Sequence, residues 1–137
     1  MKEALPAVPC GHPARPLALA LALAFTAIAT GAGADVIDIK WDAKGRFERS
    51  VNVAPGKFAE ICGKLPAGLK VRWDFDAGLP LDFNVHYHVG KEVVFPSKLT
   101  AVAAAKDSLD TKIDQDYCWM WSNKSASVAT VTVKLQR

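Results

Sequence analysis

The chain has little of what usually announces a chemistry. Of its 137 residues only three are histidine, three cysteine, two methionine and two tyrosine. Lysine and arginine are scattered without a run of one sign, which excludes the one-sided basic footprint of a nucleic-acid binder. No stretch keeps helical periodicity over the length a helix needs, and no internal repeat or low-complexity segment follows the first 34 residues. There is no nucleophile elbow, so a triad drawn from Ser122 or Ser125 with His88 and an aspartate has no motif beneath it. No histidine follows Cys118, and this breaks the ligand order of a blue-copper site. The carboxylate pairs Asp74/Asp76 and Asp114/Asp116 occupy strand and turn positions where solvation accounts for them. These absences argue against an enzyme.

The one long apolar run, Leu17 to Ile28, follows Lys2 and Arg15 and leads into Ala32-Gly33-Ala34. This is the layout of a secretory signal peptide over residues 1–34, with cleavage expected after Ala34. The run falls short of the roughly 20 apolar residues that span a bilayer, and no second one follows, so the mature chain is expected to carry no transmembrane segment. The remaining 103 of 137 residues suffice for one domain, 35–137, with one core. Without Lys2, Arg15 and Glu3, the 17 basic and 14 acidic residues become 15 and 13, a balance that favours no charged partner. The expected location is periplasmic or secreted. Cys10 departs with the leader, and two remaining thiols in an exported protein read as one bridge, Cys62 to Cys118. Closing that loop is worth on the order of 4 kcal/mol. The alternative is a reduced pair open to a soft metal.

What is present is alternation. Leu69, Val71, Trp73 and Phe75 interleave with Lys70, Arg72, Asp74 and Asp76. After Ala77-Gly78-Leu79-Pro80, Leu81 to Val89 repeats the pattern against Asp82, Asn84, His86 and His88. The two segments form a hairpin or a crossing between sheets. Further strands are predicted over 35–41, 46–53, 58–62, 92–95, 108–113, 117–122 and 127–136, separated by turn residues. Leu99 to Lys106, rich in alanine, reads as a helical turn or a loose loop. Eight to nine short strands indicate an all-β, antiparallel, jelly-roll-like sandwich. Tyr117, Trp119 and Trp121 would share one face of a core strand while Cys118 and Met120 look the other way. Trp73 belongs with that core, and Trp41 is placed to cap it.

The cysteine ahead of Leu65-Pro66-Ala67-Gly68, the strand pair over 69–89, and Tyr117-Cys118-Trp119-Met120-Trp121-Ser122-Asn123 ahead of the last strand together resemble the GOLD domain. That family comprises small β-sandwiches of secretory-pathway cargo receptors, with exported bacterial relatives. The resemblance covers roughly Val51 to Leu135 and implies a recognition module without catalytic residues. The sequence departs from the family pattern at Met120, where the second cysteine usually sits, and both cysteines are displaced by about two residues in opposite senses. Opposed positions of an antiparallel pair keep a constant index sum, so such shifts preserve register and face and leave a Cys62–Cys118 bridge compatible with the fold.

The only histidines after residue 34 are His86 and His88, on one face of one strand with Cβ atoms about 7 Å apart, where two imidazoles can share a transition metal. Met120 joins them if its strand is a neighbour. Histidine with carboxylate suits zinc or Cu(II), and added methionine or thiolate suits Cu(I). The plain reading leaves both imidazoles as solvent-facing strand residues. The sequence therefore predicts an exported, non-enzymatic binding protein with His86, His88 and Met120 as candidate copper or zinc ligands. The alternative is a metal-independent interaction module of the cell envelope, with a protein partner on an aromatic surface.

Overall fold

Val71, Trp73, Phe75 and Ala77 point to one side of their strand and Arg72, Asp74 and Asp76 to the other, so burial of the first set requires a second layer. In a computed structural model, which describes residues 35–137, the strand folds back to supply part of that layer itself. The leader predicted over 1–34 lies outside the described residues. The protein is all-β in this region: β1 Asp35–Asp38, β2 Arg46–Val53, β3 Phe58–Leu65, β4 Lys70–Val89, β5 Glu92–Asp110, β6 Gln115–Ser122 and β7 Ala129–Gln136. They run in the order β1-β3-β6-β4-β7-β2, with β5 along the other side of β4. Every pairing is antiparallel except β1 with β3, which is parallel and departs from the antiparallel expectation.

The curl originates in β4. Its first half, Arg72 to Asp76, pairs with β7, and its second half, Asp82 to His86, pairs with β6. Between them lie Gly78, at φ 67°, and Pro80, which has no N–H to offer a ladder. Phe75 and Phe83, eight positions apart, bring their ring centroids to 4.7 Å. On a straight strand they would stand roughly 26 Å apart. The bend is thus what turns a sheet into two facing layers, and Phe75 meets Trp121 of β6 edge-on across the interior at 5.5 Å. Trp119, Trp121, Tyr117, Ile61, Val85 and Leu135 fill the space between. The indole N–H groups of Trp119 and Trp121 have no hydrogen-bond partner among the described residues, so both act through packing alone. Trp41 is half-buried at the core's edge beneath the Arg137 guanidinium, 5.0 Å from the ring.

Seven strands stand where eight to nine were expected, because the turn signal at 77–80 and the segment 99–106 both fall inside strands. The segments over 69–75 and 81–89 are one bent β4. Leu99 to Lys106 is neither helical turn nor loop but the middle of β5. β5 follows the bend of β4 with register shifts opposite Asp76 to Phe83, and Ala101 takes φ 53° there. Helix propensity was the weaker influence: pairing with β4 satisfies the backbone and outweighs the local preference of the alanines.

Two side chains close the turns that hold β6 in place. Asn123, buried, donates from Nδ2 to Val53 O (2.8 Å) and Ser127 O (2.7 Å), and its Oδ1 accepts from Ser125 N and Oγ. The Tyr117 hydroxyl donates to Ile113 O at 3.1 Å and accepts from Lys112 N at 3.2 Å.

Candidate functional site

Positions of even number on β3, β6 and the second half of β4 face away from the core, and the strand register sets them in rows. Cys62 pairs with Cys118, and Cys118 with His86, giving one row across three strands. The next row is Glu60, Met120 and Asn84. His88 follows His86 along β4, with ring centroids 5.4 Å apart and planes at 79°. Phe95 of β5 closes the near side, 6.0 Å from the His86 ring. The structure therefore gathers the predicted His86, His88 and Met120 on one face, with Met120 half-buried and His88 exposed. Cys62 and Cys118 are joined as a disulfide.

His86 is the unusual member, since on a face turned from the core it is only 6% exposed. Its Nδ1 lies 2.8 Å from Asn84 Oδ1. An amide oxygen only accepts, so Nδ1 carries the proton and Nε2 is left with its lone pair. That lone pair faces Glu60, whose Oε1 is 3.9 Å away, too far for a hydrogen bond. Burial lowers the His86 pKa from its ordinary value of 6.5; the Glu60 carboxylate opposes this and His88 reinforces it. Burial is the larger influence, so at neutral pH the pair is a neutral imidazole beside a carboxylate rather than a salt bridge. The other carboxylate oxygen, Oε2, is 3.9 Å from Cys62 Sγ, a contact only, since a half-cystine has no proton to donate. Ligand atoms of Glu60, His86 and Cys118 lie within 4.8 Å of one another. While the disulfide holds, only the nitrogen and the carboxylate of that set can act as strong metal donors.

Glu60 escaped the sequence reading. The signal was there: with Cys62 opposite Cys118, the antiparallel index sum puts residue 60 opposite Met120. The Asp82 carboxylate, on the same face, is engaged elsewhere. It pairs with Lys124 and accepts from Ala101 N at 3.1 Å, and the hydrogen bond from Lys124 leads in lowering its pKa. Ser125 Oγ is committed to Asn123 Oδ1 and Ser127 O, a turn role rather than a nucleophile's. A wider groove lies over the other half of the sheet between Arg46, Arg72, Asp74, Lys106 and Lys134, where charges of both signs alternate without a cluster of ligand atoms.

No protein-family model and no curated protein matches the chain. Among solved structures it is similar to the periplasmic inhibitor of g-type lysozyme, PliG, of Aeromonas hydrophila, with TM-score 0.57 and 10% identity over 74% of this chain and 95% of that one. It is also similar to the pre-peptidase C-terminal domain of a Bacillus anthracis collagenase, with TM-score 0.55 and 7% identity over 76% and 95% of the two chains. A third is the mitogen of Yersinia pseudotuberculosis, with TM-score 0.53 and 9% identity over 66% and 84%. At these identities the likeness establishes a β-sandwich fold and nothing finer.

Proposed function

We propose that this is an exported, non-enzymatic binding protein, periplasmic or secreted, that takes a copper or zinc ion on the outer face of β3, β6 and β4. The observation that carries the reading is the Nε2 lone pair of His86, buried, oriented by Asn84 and turned toward the Glu60 carboxylate. Metal-ligating histidines commonly donate their other ring N–H to a fixed acceptor, and Asn84 Oδ1 is that acceptor here. His88 is exposed and adjacent, free to supply a second nitrogen, while Met120 stands between Glu60 and Asn84 in register, placed for the softer Cu(I). Export is supported by the residue 1–34 pattern and by a disulfide of the kind that persists outside the cytosol. A GOLD-like identity for the sandwich is supported by the Cys62–Cys118 pairing, which keeps register after the displacement of both cysteines.

The test is a titration of the purified, oxidised protein with Cu(I), Cu(II) and Zn(II) against competing chelators, beside the His86→Ala/His88→Ala variant. Tight 1:1 binding that the variant loses is the expected result. Binding too weak to compete, or unchanged in the variant, would overturn the metal reading.

A second reading, a metal-independent interaction module of the cell envelope, is favoured by one feature. Val93 and Phe95, 41% and 45% exposed, lie on the outer face of β5 beside His88 and His86. Apolar residues grouped on a surface mark contact sites. Retention of the host function by the double-histidine variant would favour this reading.

A further inference from the structure

We infer that the Cys62–Cys118 bond gates a second, tighter state of the same face: once reduced, Cys62, Cys118, His86 and Glu60 form a closed Zn(II) site. This rests on the reading of His86 as a ligand and goes beyond it by adding both sulfurs. Glu60 lies at the centre of the argument. One of its oxygens is 3.9 Å from His86 Nε2 and the other 3.9 Å from Cys62 Sγ, while Cys118 Sγ lies within 4.8 Å of the Glu60 and His86 ligand atoms. Tetrahedral zinc, with bonds of about 2.0–2.3 Å, sets its ligands about 3.3–3.8 Å apart. Glu60, His86 and Cys118 are thus already grouped near coordination spacing, while Cys62, in contact with Glu60 and bonded to Cys118, joins them on reduction by turning away from Cys118. Three of the four come from one row of three hydrogen-bonded strands and Glu60 from the next, so the backbone register already holds the set. Two thiolates, an imidazole and a carboxylate are a zinc donor set. Asn84 fixes the tautomer that leaves Nε2 available.

The chemistry balances through an exogenous dithiol. Its thiolate attacks one sulfur of the bridge, a mixed disulfide forms, and the dithiol closes to its own disulfide. The protein gains two electrons and two protons as two thiols, and Zn(II) then displaces both protons on binding.

The experiment uses the purified protein in two states: as isolated, and after reduction by a phosphine, which is itself oxidised to phosphine oxide with oxygen from water and is then removed anaerobically. Both are titrated with Co(II) and Zn(II). The expected result for the reduced state is a thiolate-to-Co(II) charge-transfer band, displacement of Co(II) by one equivalent of Zn(II), and Zn(II) affinity at least about 100-fold above the oxidised state, with Asn84→Ala lowering it by about 10–100-fold. A folded reduced protein with no such band, or with Zn(II) affinity within about threefold of the oxidised state, would overturn the gate. Should reduction unfold the chain, return of the β-sheet circular dichroism on adding Zn(II) supports the site, since binding and folding are then one event, and failure to return sinks it. The two ideas separate cleanly. Binding by the oxidised protein without the reduced-state gain removes the gate alone. A reduced-state band with no binding by the oxidised protein removes only the disulfide-form site proposed above.

Discussion

The imidazole of His86 sits among groups from four strands: Glu60 on β3, His88 on its own β4, the disulfide sulfur of Cys118 on β6 and the Phe95 ring on β5. Burial and His88 disfavour its charged form more than Glu60 favours it, so folding lowers its pKa below the ordinary 6.5. Between the two values the unfolded chain binds more protons than the folded one. Stability therefore rises with pH through that window; the contribution is complete above about 6.5 and is lost as pH falls below it. The urea midpoint is expected to be lower at pH 5.5 than at pH 7.5, and His86→Gln, which cannot be charged, should flatten that difference. An equal fall in the variant would place the proton uptake on another group. Asn123 makes a second prediction. Its amide satisfies two carbonyls and the Ser125 N–H and hydroxyl. Asn123→Ala strands the buried Val53 carbonyl and loosens three part-buried turn bonds, and should cost about 1–3 kcal/mol in chemical denaturation. Ser122-Asn123 was readable in the sequence as a turn, because asparagine side chains cap turns locally. Glu60 becomes legible only once the Cys62–Cys118 register is taken, because the residue that gives it meaning, His86, is 26 positions away on β4 with β6 between the two strands.

β4 and β5 show where alternation informs and where it misleads. The period-2 pattern of Val71, Trp73, Phe75 and of Leu81, Phe83, Val85 is visible in sequence, and every one of these residues is buried. What the pattern does not carry is continuity. Gly78 and Pro80 look like the end of a strand, yet here they let one strand change partners from β7 to β6 without stopping. β5 must bend with it, and the place where it does so is Ala101, at φ 53° with its N–H held by Asp82 Oδ1. An L-residue there carries a cost that glycine avoids, partly offset by glycine's greater freedom in the unfolded chain. Ala101→Gly should therefore raise stability by up to about 1 kcal/mol, read as a higher urea midpoint with the slope unchanged. A lower midpoint would mean that the alanine methyl packs where the backbone argument gives it no role. The alanine-rich segment reads as helical or loose because propensity is local, whereas its pairing is set by residues of β4 that lie 16 to 32 positions earlier, from Leu99 with Phe83 to Lys106 with Asp74.

The sandwich class was legible from strand count, turn spacing and the Trp-rich β6, while the curl was not, since it depends on which half of β4 meets which neighbour. The disulfide acts at the same scale. It joins β3 to β6 across 56 positions, and everything between, including β4 and β5, forms the closed loop. β3 and β6 are already paired over eight residues, so the bond adds little to the folded arrangement and acts chiefly on the unfolded chain. A loop of this length corresponds to about 4 kcal/mol of lost unfolded-state entropy, a large share of the roughly 5–15 kcal/mol that holds a domain together. Cys62→Ala/Cys118→Ala should consequently lower stability by up to about 4 kcal/mol. The mechanism has a second signature, because the uncrosslinked chain expands further on unfolding and exposes more surface. The urea slope should then steepen in the variant as the midpoint falls. A midpoint that falls with an unchanged slope would instead place the bond's effect in the folded protein, in how tightly β3, β6 and the His86 face are held together.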